Sequence, residues 1–233
     1  HPRVRRQRQM CIRDRSNDDQ LTRPYVLGAS LYAENADAIA SAHSLFKGNE
    51  DNLAGLSADV RAFVLFNEVK NFGSEKLFDQ LLAVYRQTSD ASYKQDICAA
   101  LTRTTDPKLI AKLVSKFEDA ETIKPQDLRA WFRGVLANTE GEQAAWDWIR
   151  NNWQWLEETV GGDMEFATYI TVISSVFHTS QRLAEFKEFF VPKIPTPGLT
   201  REIKMDVSVI DSRVQLVEAE KADVNAAVSH VVK

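Results

Sequence analysis

The chain has 233 residues, 44% of them hydrophobic, with 29 basic against 33 acidic side chains and a formal net charge of −4. That is enough apolar material for a sizeable core, in one large domain or two small ones. Seven prolines and nine glycines are too few for an all-β architecture, and no run of about 18 apolar residues is present to span a membrane.

Residues 1–15 read HPRVRRQRQMCIRDR, six arginines with neither a helical nor a strand period. At face value this is a basic arm suited to nucleic acid or to targeting. Its last eleven residues, RRQRQMCIRDR, resemble the in-frame translation of a sequencing-library adapter, so the segment is treated as non-native and set aside. Its removal takes away six arginines and one aspartate and leaves 23 basic against 32 acidic groups, a net charge of −9. Such a balance argues against non-specific phosphate binding. The remainder is read as a piece of a longer protein, with 16–25 a polar connector and 26–233 one helical domain.

Over 26–46, Ala29, Tyr32, Ala33, Ala36, Ile39 and Ala40 keep the spacing of one helix face, and Lys47–Gly48–Asn49 ends it. Ser57 is a good N-cap for a helix carrying Val60, Val64, Phe66 and Val69, closed by Gly73. Leu77, Leu81, Leu82 and Tyr85 mark the next helix, stopped by Thr88–Ser89–Asp90. A short helix over 93–102 holds Cys98 in an apolar run, the setting of a small buried hydrophobe. Asp106 followed by Pro107 is an N-cap with proline at the first helical position, opening a helix that reaches Phe117.

All five tryptophans fall between 125 and 158. Leu128, Trp131, Phe132, Val135 and Leu136 make one apolar stripe, and Asn138–Thr139–Glu140–Gly141 turns the chain. The second arm carries Ala145, Trp148, Ile149 and Leu156 on one face and Trp146, Arg150 and Trp153 on another. Aromatic side chains on two faces predict a helix covered from two sides, with the rings serving as core.

Gly161–Gly162 stops that arm, and Asp163 is read as the cap of a helix through Phe166, Ile170, Ile173 and Phe177. Leu183, Phe186, Phe189 and Phe190 make another, and Pro192, Pro195, Pro197 and Gly198 form a rigid break. From Thr200, Ile203, Val207, Ile210, Val214 and Val217 alternate by four and three, and Val224 and Val228 continue the phase beyond Lys221. That predicts a helix of up to about 30 residues, with a break near Lys221, packed along its neighbours or against a coiled-coil partner. The sum is an all-α fold: a curved antiparallel helical array of the solenoid type, with HEAT/armadillo-like pairs and nine or ten helices, though without a fixed-period repeat.

Little in the chain carries chemistry by itself. Of the four histidines, His1 lies in the arginine-rich segment, His43 is followed by Ser44–Leu45–Phe46 instead of a zinc-helix pattern, and His178 sits at a helix end that suits a cation. His230 has no ligand spacing, and neither do Cys11 and Cys98. No glycine-rich phosphate loop or nucleophile elbow is present, and Glu118–Asp119 and Glu157–Glu158 read as solvated helix ends. No residue is assigned as catalytic, cofactor-binding or metal-binding. Two cysteines in a chain of this kind suit a reducing, cytoplasmic compartment.

From Leu53 onward the chain resembles the C-terminal helical domain of the zinc aminopeptidases of the alanyl-aminopeptidase (gluzincin, aminopeptidase N) family. The likeness rests on Leu56–Arg61 with Val69–Gly73, on Phe78–Tyr85 with Ser92–Lys94 and Ala99–Leu101, and above all on the tryptophan hairpin. In the hairpin the matching residues are Ala137–Asn138, Gly141, Ala145–Trp146, Ile149, Asn152–Trp153 and Leu156. The resemblance implies a cap domain that encloses the active-site cavity of a peptidase and shapes peptide access. It implies catalytic zinc in a missing upstream domain of the same chain, with peptides as substrates. Gly162–Phe166 only echoes that domain's G-A-M-E-N motif and is read as a helix start. Some relatives place a basic residue near Ser175–Val176; this chain does not, so no substrate contact is carried over. The other reading is a stand-alone helical scaffold binding a peptide or protein on its concave face.

Overall fold

A computed structural model describes residues 17–162 and 166–231, and among these residues every regular element is helical. The arginine-rich segment and the cap assigned to Asp163 lie outside the described residues. Among the described residues twelve α-helices are present where nine or ten were expected. They are α1 (Asn17–Tyr32), α2 (Ala36–Lys47), α3 (Ala58–Phe72), α4 (Glu75–Gln87), α5 (Ala91–Leu101) and α6 (Pro107–Val114). After them come α7 (Pro125–Leu136), α8 (Glu142–Asn151), α9 (Trp153–Val160), α10 (Thr168–Val176), α11 (Ser180–Phe190) and α12 (Thr200–Val231).

The larger count has local causes. The helix expected over 26–46 is two, because Glu34 takes a left-handed φ of 54° and Asn35 caps the second helix by accepting from the Ala38 N–H at 3.0 Å. Residues 17–25, read as a connector, form the first half of α1. The second arm of the tryptophan hairpin is also two helices, because Asn152 leaves helical geometry at φ −117°, ψ 19°. The turn signals otherwise act where expected. Asp106 accepts from the Lys108 N–H at 2.8 Å with Pro107 at the first position. Ser57 stands at the N-cap, but its hydroxyl is turned to the Asp59 carboxylate and not to the backbone. Gly141 closes the hairpin turn where a Cβ would lie 2.7 Å from the Val135 carbonyl oxygen.

The chain divides into two compact units, residues 1–123 and 124–233. In the first, α3 packs against α1, α2 and α5, and α4 packs on α5. α3 buries three polar side chains, Arg61, Asn67 and Glu68. Its Arg61 pairs with Asp96 of α5 at 2.6 Å and lies over the Tyr93 ring, 4.6 Å from the centroid. Its Asn67 donates to the Ile39 carbonyl of α2 at 3.2 Å, and its Glu68 meets His43 of α2 at 2.8 Å. Each buried polar group on α3 thus fixes a neighbouring helix.

In the second unit, α7 packs on α8, and α12 lies across α10 and α11. Trp131 and Trp146 are fully buried, Trp148 and Trp153 nearly so, and Trp155 is half-buried. The rings are core, as their spacing predicted. α12 is one unbroken 32-residue helix, and Lys221 does not interrupt it. Its first half is held by Ile203, Ile210 and Val214 and by a buried acid, Asp206, which accepts from the Ser174 hydroxyl at 2.8 Å and the Thr171 hydroxyl at 3.2 Å. Arg213 donates to the carbonyls of Ser174 and Phe177 and ties the same helix to the end of α10. The expectation that α12 packs along its whole length fails beyond Val214: residues 215–230 are exposed on every side. Its valines keep phase there, and the Ser180 hydroxyl at the start of α11 donates to Glu218 at 2.5 Å.

Burial pushes the Asp206 carboxyl above the ordinary range, against the two hydroxyl bonds, and Glu202 pushes it the same way. A raised folded value means the folded state holds its proton more tightly than the unfolded chain, whose aspartates titrate near about 3.9. Stability owed to this site is therefore complete at low pH and declines as the pH rises through the folded value. Asp206→Asn should flatten that decline in denaturation followed from about pH 3 to 7; an unchanged slope would count against it. Trp153→Ala should lower unfolding free energy by about 3–5 kcal/mol in urea titration, with a loss under about 1 kcal/mol marking the ring as dispensable to the core.

Candidate functional site

The tryptophan hairpin is assembled from two directions. On one side of α8, Trp148 meets Phe132 of α7 at 6.0 Å between centroids and Trp155 of α9 at 6.1 Å. On the other, Trp146 meets Phe177 at 5.2 Å, Phe189 at 5.7 Å and Phe190 at 6.1 Å, the first two edge-on. Trp153 continues this second cluster through Phe166 at 5.0 Å and Phe190 at 5.3 Å. Edge-on and tilted pairs of this kind add to simple area burial.

A polar girdle closes the cluster. The Trp146 indole N–H donates to Glu185 of α11 at 2.9 Å. Arg182, one turn earlier, donates to Glu185, Glu142 and Gln143, each at 2.7 Å, and covers the Phe177 ring at 5.2 Å. Burial alone would raise the Glu185 carboxyl, but hydrogen bonds from Gln181, Arg182 and Trp146 outweigh it and hold the group below the usual carboxylate range. Lys193, just beyond α11, lies 3.8 Å from the Phe189 centroid and donates to the Phe189 carbonyl at 3.0 Å. Burial pushes its ammonium below the ordinary lysine value, with Glu157 opposing.

Beside the hairpin lies a half-open cleft of about 300 Å³. The start of α7 (Pro125, Gln126, Arg129), the end of α9 (Thr159, Val160) and the rings of Phe166 and Tyr169 line it. Arg129 donates to the Thr168 hydroxyl at 3.1 Å. These described lining residues offer a cation, an amide, hydroxyls and two aromatic faces, but no carboxylate, imidazole or thiol. Such a surface can hold a ligand.

The polar residues weighed from sequence are not brought together. His43 stacks on Phe72 at 3.9 Å and pairs with Glu68, whereas His178 faces the Val176 carbonyl at 2.9 Å just past the end of α10, and His230 is exposed near the end of α12. Asp119 caps a turn, accepting from Thr122 at 2.9 Å, which with Lys116 lowers its carboxyl. Glu157 and Glu158 are exposed on α9, Cys98 is buried in α5, and Ser175 donates to the Val172 carbonyl. Among the described residues no group of three or more His, Cys, Asp or Glu could hold a metal ion. Sequence reasoning missed Arg61, Asn67, Glu68, Arg182, Lys193 and Asp206 as organising groups. Only Arg61 carried a signal, as part of the matched Leu56–Arg61 stretch.

The sequence profile of the ERAP1-like C-terminal domain matches residues 3–212, beginning inside the arginine-rich segment. The chain is 59% identical over 217 residues to an aminopeptidase N of Lactobacillus helveticus, covering 93% of this chain and 26% of that protein. An aminopeptidase N of Lactococcus lactis subsp. lactis (strain IL1403) is 40% identical over 217 residues, with the same coverage. A glutamyl aminopeptidase of Mus musculus is 28% identical over 183 residues, 78% of this chain and 19% of that one. The chain spans about a quarter of the length of the bacterial relatives it matches.

Arg182→Ala leaves Glu185 and Glu142 without their shared cation and should cost about 1–3 kcal/mol. Because the folded Glu185 value is depressed, its stabilisation is complete above the unfolded glutamate value of about 4.3 and is lost as the pH falls through the folded one. Glu185→Gln should therefore reduce the acid-side loss of stability in thermal melts from about pH 6 to 3; a variant melting with the parent's pH profile would remove Glu185 from the account.

Proposed function

The chain belongs to the ERAP1-like C-terminal domain family, and on that footing we propose that it is the cap domain of a zinc metalloaminopeptidase that removes N-terminal residues from peptides. One observation carries the reading: a relative 59% identical across 93% of this chain is nearly four times as long and bears the name aminopeptidase N. The zinc and the catalytic groups belong to the upstream part of the longer protein. The helical units contribute enclosure of the cavity and selection of peptides by access, and the chemistry is done elsewhere. The protein acts in the cytoplasm; among the described residues no helix is long and apolar enough to cross a membrane. The adapter-like residues 5–15 are foreign to the gene.

Two measurements test this. The purified chain should hold no stoichiometric zinc and release nothing from an aminoacyl reporter, and chelator-sensitive turnover would overturn the division of labour. Sequencing the genomic locus across Arg15 and Ser16 should reveal a frame running upstream into an H-E-x-x-H zinc helix. A locus that encodes the arginine-rich arm, or a start codon beside Ser16, would instead favour the stand-alone scaffold.

A further inference from the structure

The last helix carries one apolar seam through two environments. Ile203, Ile210 and Val214 are buried against α10 and α11, and the same four-and-three alternation continues through Val217, Lys221, Val224 and Val228. Over residues 215–230, about 24 Å of helix, every residue is exposed, with Leu216 at 62% and Val224 and Val228 at 54% each. The Ser180 hydroxyl holds Glu218 at the near end of this stretch, and a seam kept in coiled-coil phase beyond it is a face built to be covered.

We propose that the upstream portion of the longer protein covers it, by an apolar groove with a basic rim and a carboxylate opposite Lys221. This rests on the reading of the chain as part of a longer aminopeptidase. Area decides between occupants. Covering three valines and a leucine removes on the order of a few hundred Å², well below the roughly 800 Å² per partner of a stable complex between separate molecules. Within one polypeptide the effective concentration is in the millimolar range, and so small a patch suffices. The relative's additional three-quarters supplies the chain to do it. Charge fixes the character of the groove: Glu220 and Asp223 flank the seam and call for cations, while Lys221 sits within it and needs an acid when desolvated.

The test compares amide hydrogen exchange over residues 216–230 in the present chain and in the longer protein encoded at its locus. Exchange should be at least tenfold slower in the longer protein. Val224→Gln with Val228→Gln should return it to the present chain's rate while leaving the present chain unaffected, since glutamine forms helix at least as well as valine. Equal exchange in both proteins overturns the inference and leaves the aminopeptidase reading intact. Protection that appears in the present chain with rising concentration, alongside a dimer in sedimentation, overturns it in favour of a second copy. A locus with no upstream portion overturns both readings together.

Discussion

An indole buried to zero exposure must find an acceptor for its N–H, and in this protein much follows from that requirement at Trp146. The acceptor is Glu185, a carboxylate brought against an aromatic cluster, and a carboxylate in that setting needs a cation. Arg182 provides it, and its remaining donors reach back to Glu142 and Gln143 at the start of α8. The circuit closes: the helix that carries the tryptophan is tied to the helix that satisfies it. Phe177, Phe189 and Phe190 fill the space between, so packing and polar satisfaction fix the same arrangement of α8 and α11.

The first unit applies the same rule along a single helix. α3 buries Arg61, Asn67 and Glu68, and each is matched by a group on a different neighbour or a different turn of it. Apolar burial supplies most of the driving force but is indifferent to small rotations and slides of one helix on another. Paired polar groups are not, because a slip of one residue leaves a charge or an amide unsatisfied at a cost of about 1–3 kcal/mol. Asp206 and Arg213 do for α12 what these groups do for α3.

These devices position helices and present surfaces. The chain belongs to the ERAP1-like C-terminal domain family and spans about a quarter of the length of the bacterial relatives it matches. The cleft beside the hairpin and the exposed half of α12 are two surfaces whose chemistry suits contact with something outside the chain.

The sequence by itself determined the all-α class, the helix stops at Gly73 and Gly161, the turn at Asn138–Gly141, the cap at Asp106, and the core role of the tryptophans. These are local or periodic properties: a turn residue or a stripe of rings acts through its own backbone and its neighbours three and four positions away. The family resemblance was legible for the same reason, since the hairpin concentrates rare residues at fixed spacing. Tertiary structure alone decided the breaks at Glu34 and Asn152, where backbone geometry departs from a pattern that reads as continuous. It alone chose which polar side chains are buried, because the partners of Arg61, Glu68, Arg182 and Asp206 stand 25 to 40 residues away and no periodicity announces a pairing across that distance. It decided, too, that one valine seam is half core and half surface: a seam specifies a face, and only the placement of other helices says where that face is covered.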